Sequence, residues 1–94
     1  MITLNISSSN RASVCSMLNS MVSKINELYT LSIKKQTSDP IVSESYAAKA
    51  DILLDELNTI RKFASLVGIK FRIYERVGGT ISIVDLSFGE GKVE

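Results

Sequence analysis

The apolar residues of this chain change period at Gly68. From Val14 to Val67 they recur at alternating intervals of four and three; after Gly68 they fall on every second position. A helix cannot hold a period of two against a core, and a strand cannot hold a period of three and a half. Helices must therefore fill most of the stretch from Arg11 to Gly68, and strands the region after it.

The helical part divides in two. Val14, Leu18, Met21, Ile25 and Leu28 form one seam, widened by Cys15, Val22 and Tyr29, and predict a helix from Arg11 to about Lys35. Lys34 and Lys35 sit where cations oppose the negative end of the helix dipole. Ser7-Ser8-Ser9-Asn10 offers side-chain oxygens to cap its start. A second seam, Tyr46, Ala50, Leu53, Leu57, Ile60, Ala64 and Val67, follows Asp39-Pro40, a capping residue before a first-turn proline. Gly68 then supplies the left-handed turn that closes a helix.

Two strands follow, Ile69 to Val77 and Thr80 to Phe88, around Gly78-Gly79. A two-glycine loop predicts a tight antiparallel hairpin. Pairing Val77 with Thr80 sets Ile73 opposite Val84, Phe71 opposite Leu86 and Ile69 opposite Phe88 on one face. It leaves Arg76 with Ile81, Tyr74 with Ile83, Arg72 with Asp85 and Lys70 with Ser87 on the other. At the other end, Ile2, Leu4 and Ile6 alternate with Thr3 and Asn5, as in a short strand buried on one side. The expected fold is α+β, in the order β-α-α-β-β. An antiparallel helical hairpin lies on a small three-stranded sheet, as one domain over residues 1–94 with a flexible tail at 89–94. Its 94 residues, 45% of them hydrophobic and 22% charged, suit a single modest core.

Composition narrows the chemistry. There is no histidine, which removes the commonest general base, the Ser-His and Cys-His nucleophile pairs, and most transition-metal sites. Asp51 and Asp55 stand one turn apart but lack the further ligands a divalent cation needs. Gly78-Gly79 joins strands and does not open a helix, so it is no phosphate loop. The expectation is a protein that is not an enzyme and carries neither cofactor nor metal. Cys15 is the only cysteine, no signal peptide opens the chain, and no apolar run reaches membrane-spanning length. A cytoplasmic location is expected, away from membranes. The formal charge of +1 marks neither a polybasic binder nor an acidic mimic.

Two surfaces remain as candidates. Ser13, Ser16, Ser20 and Ser23 stand opposite the first seam, and no charge occurs from Ala12 to Ser23. A neutral solvated face would explain that, and so would a second surface, since small uncharged residues allow close approach at little desolvation cost. With Ile81 and Ile83, read as exposed on the hairpin, this face is the expected interaction surface. The other candidate is the outer hairpin face, where Lys70, Arg72 and Arg76 surround Tyr74. Basic side chains around an aromatic can hold phosphates and stack a base, although Asp85 opposite Arg72 also fits a plain cross-strand ion pair. The leading expectation is a self-associating interaction protein that binds another protein as an accessory or inhibitory factor. Its size alone also fits a factor encoded by a phage or mobile element. Binding of nucleic acid or a small anionic ligand through Lys70, Arg72, Tyr74 and Arg76 is the alternative.

Overall fold

The computed structural model describes residues 8–76 and 79–89. Within them the chain is α+β, with helices α1 (Ser8–Lys35) and α2 (Pro40–Leu66) followed by strands β1 (Ile69–Glu75) and β2 (Ile81–Phe88). The expected first strand, with Ile2, Leu4 and Ile6, lies outside the described residues. Among those described, the sheet has two strands.

α1 and α2 form an antiparallel hairpin along their apolar seams. Leu18, Ile25, Leu28, Ala50 and Leu57 are buried, and Val14, Met21, Tyr46, Leu53 and Ile60 pack around them. Each fully buried Leu or Ile contributes roughly 1.5–3 kcal/mol. The turn between the helices is set as its residues dictate. The Asp39 side chain accepts the Val42 N–H at 3.2 Å, and Pro40 fills the first turn, where its missing N–H costs nothing. Near this turn a reciprocal serine clasp joins the helices. The Ser43 hydroxyl donates to the Ser32 carbonyl at 2.7 Å, and the Ser32 hydroxyl donates to the Ser43 carbonyl at 2.9 Å. Ser43 is buried, so its small side chain also sets how closely the helices approach. α2 stops at Gly68, whose φ of 88° lies in the left-handed region, and β1 begins one residue later.

The sheet lies under the hairpin, with β1 against α2 and β2 against α1. Asn26 of α1 holds the first residue of β2 at both of its backbone polar groups. Its Oδ1 accepts the Ile81 N–H at 2.7 Å, and its Nδ2 donates to the Ile81 carbonyl at 2.9 Å. At the other end the Gly89 N–H donates to the Gly68 carbonyl at 2.7 Å, and the Arg11 guanidinium lies 5.4 Å from the centre of the Phe88 ring.

The hairpin register corrects the sequence reading. Ile69↔Phe88 and Lys70↔Ser87 pair as expected. Beyond them the partners shift by one, giving Arg72↔Val84, Ile73↔Ile83, Tyr74↔Ser82 and Glu75↔Ile81. Residues 85 and 86 together oppose Phe71, which makes a β-bulge, and Asp85 takes the φ of 57° that the extra residue requires. The turn differs correspondingly. The Arg76 N–H donates to the Thr80 carbonyl at 2.8 Å, so three residues separate the paired ends where two were expected. Val77, the expected partner of Thr80, lies outside the described residues.

The physical reason is burial. Ile81 and Ile83 occupy odd positions, Leu86 and Phe88 even ones, and a regular strand would turn one pair to water. The bulge lets both sets face the helices. Ile81 is only 2% exposed and belongs to the core, and Ile83 and Leu86 pack against it.

Candidate functional site

Ile81 is therefore not the exposed contact that the sequence suggested, because it belongs to the chain's own core, and Ile83 is half-buried against that core. The serine face is where helical geometry puts it. Ser13, Ser16, Ser20 and Ser23 are exposed along α1. Ser13 folds its hydroxyl back onto the Ser9 carbonyl at 3.1 Å. Ala12, Cys15, Ser16, Asn19, Ser20 and Lys24 line a shallow open depression down this flank, with the free Cys15 thiol half-buried at its margin. Neutral hydroxyls and small side chains leave the helix backbone close to whatever lies there.

The basic face is present but divided. Lys70, Arg72 and Tyr74 alternate on the exposed side of β1, with Arg76 just past its end. The bulge carries Asp85 beside Arg72, whose Nε donates to Asp85 Oδ2 at 2.8 Å, with Nη2 bonded to the same oxygen. Arg72 is thereby committed to a carboxylate, an exposed pair of small energetic value. Lys70 instead joins Arg61, Lys62 and Ser65 of α2 around a cleft floored by Phe71. None of these three cations has a carboxylate within ion-pair distance among the described residues. Asp51 is also engaged, since it accepts the Tyr29 hydroxyl at 2.7 Å. Partial burial of that phenol, this hydrogen bond and the negative charges of Asp51, Glu75 and Asp55 push its pKa up to about 12.

The feature that sequence reading missed is on α2. Ile41, Ile52, Phe63 and Leu66 are exposed by 81%, 60%, 66% and 59%, where a solvated helix normally carries charge. Ile41, Ile52 and Phe63 are eleven residues apart, three near-whole helical turns, so they align in one stripe opposite the seam facing α1. Ala48 and Thr59 fill the same line. A shallow depression lined by Ile52, Asp55, Glu56, Thr59 and Ile60 lies along it. The eleven-residue spacing was the available signal, hidden behind the stronger heptad seam.

Comparison of the chain with family models, with curated proteins and with solved structures found no match. No helix among the described residues is long and apolar enough to cross a membrane.

Proposed function

We propose that this chain is a non-catalytic protein–protein interaction module, a single domain that self-associates and acts in the cytoplasm as a small accessory or inhibitory factor. The observation that carries this reading is the uncovered α2 stripe. Monomeric domains rarely leave apolar side chains of this size aligned in water, and such surfaces mark contact sites. The serine flank of α1, free of charge from Ala12 to Ser23 and bounded by Lys24 and Glu27, supplies a second contact face for another protein. Residues 2–6 complete the sheet in this reading as a third strand. They lead directly into α1, whose first turns lie against Phe88 at the end of β2. Light scattering on the purified chain at rising concentration tests the proposal. A mass above 10.3 kDa that grows with concentration is expected, and a fixed monomer across the range counts against self-association.

A second reading is favoured by the Arg61, Lys62 and Lys70 cleft, which suits a phosphate-bearing ligand, free or on a nucleic acid. Its site is displaced from the Arg72, Tyr74 and Arg76 face that the sequence indicated. Reversing Arg61 and Lys70 to Glu should abolish retention of a labelled oligonucleotide or of pyrophosphate. Unchanged retention removes this reading.

A further inference from the structure

We infer that the stripe on α2 is a two-fold dimer interface, in which α2 packs antiparallel against α2 of a second copy with the axis beside Ile52. This inference rests on the self-association proposed above and names the surface and partner for it. A two-fold contact must be self-complementary, each residue meeting a residue that it faces in return. The stripe meets that condition by its spacing. Ile41 and Phe63 stand eleven residues on either side of Ile52, so reversing the helix about Ile52 lays Ile41 on the Phe63–Leu66 end of the other copy. Ile52 then faces Ile52 of the other copy, and the depression formed with Asp55, Glu56 and Thr59, an i, i+3, i+4, i+7 set of the kind that receives a knob from an opposing helix, receives that copy's Ala48.

The charges beside the stripe obey the same symmetry. At 100° per residue, Lys49 and Glu56 lie on one flank, and Glu44 and Lys62 on the other. Reversal about Ile52 places Lys49 against Glu56 and Glu44 against Lys62 of the second copy, each pair occurring twice. Asp51 approaches Asp55 of the second copy on the second flank and opposes association, a built-in repulsion that also occurs twice. Area is adequate. The four exposed apolar side chains alone leave on the order of 500 Å² in water. The flanking Lys49, Glu56, Glu44 and Lys62 stems bring this near the roughly 800 Å² per partner of a standard interface. A second copy is a better occupant than an unrelated helix because the stripe and both flanks match their own reversal.

Sedimentation equilibrium of the full chain and its variants, each checked by circular dichroism for an unchanged fold, tests this. Ile52→Glu and Phe63→Glu should each yield a folded monomer. Lys49→Glu alone should weaken the dimer about tenfold, and Lys49→Glu with Glu56→Lys should restore it, because the pair is merely exchanged. Asp55→Asn should tighten it by several-fold. A dimer that survives Ile52→Glu but is split by Ser16→Glu with Ser20→Glu would place the contact on α1, overturning this inference and leaving self-association intact. A monomeric wild type would remove both. A dimer lost on Lys49→Glu that the double exchange does not restore would overturn the antiparallel register.

Discussion

Three side chains do work at the residue scale that their types alone do not announce. Asn26 fits both polar groups of Ile81, so truncating it leaves a strand-edge donor and acceptor without their partner. Asn26→Ala should cost about 1–3 kcal/mol in urea unfolding with the slope unchanged. Asn26→Asp should do no better, because it turns an acceptor towards the Ile81 carbonyl. Ser43→Ala removes one half of the serine clasp and should cost about 1–3 kcal/mol for the same reason. Tyr29 gives the protein a pH response. Its pKa is higher in the fold than in the unfolded chain, so the neutral phenol contributes stability that is complete below pH 10 and lost as pH rises towards about 12. The difference in stability between wild type and Tyr29→Phe should shrink over that window. A constant difference would mean that Tyr29 ionises as freely in the fold as out of it.

At the scale of elements, the helices were legible and the hairpin only partly so. The α2 cap, first-turn proline and closing glycine are local devices, and each appears where its residue chemistry requires. The α1 seam is equally plain, and Leu57→Ala should cost about 2–5 kcal/mol, since Leu57 is fully buried on the facing seam. The expected register does not hold because a two-residue turn and strict alternation both require a regular β2. Ile81 and Ile83 are out of phase with Leu86 and Phe88, and that mismatch is itself the signature of an inserted residue. The bulge makes a sharp prediction at Asp85, whose positive φ a β-branched residue tolerates badly. Asp85→Val should destabilise by about 1–3 kcal/mol, whereas Asp85→Gly should be close to neutral. Equal costs from both substitutions in thermal melts would refute the bulge. The candidate site was half-legible. The serine flank follows from helix geometry, but the basic face could not be read correctly, because only the folded sheet brings Lys70 beside Arg61 and Asp85 beside Arg72.

At the scale of the whole molecule, the chain is long for its mass. Its extents are 57 × 22 × 19 Å, and its radius of gyration of 16.0 Å exceeds the roughly 12 Å of a compact chain of this length. The helices outrun the sheet. Asn26 and Tyr29 already lie over the first residues of β2 and the turn before it, and beyond them, among the described residues, the two helices have only each other. A rod with a thick end and a thin end does not open all at once. Amide protons around Ser32 and Ser43 should exchange with solvent deuterium well before those around Leu18 and Leu57. The thin end would then fray and close many times within the lifetime of the folded thick end, and the serine clasp would set how often. A partner that grips Ile33 or Ile41 would meet the most yielding part of the protein first, and its arrival should be read as exchange slowed most at that end.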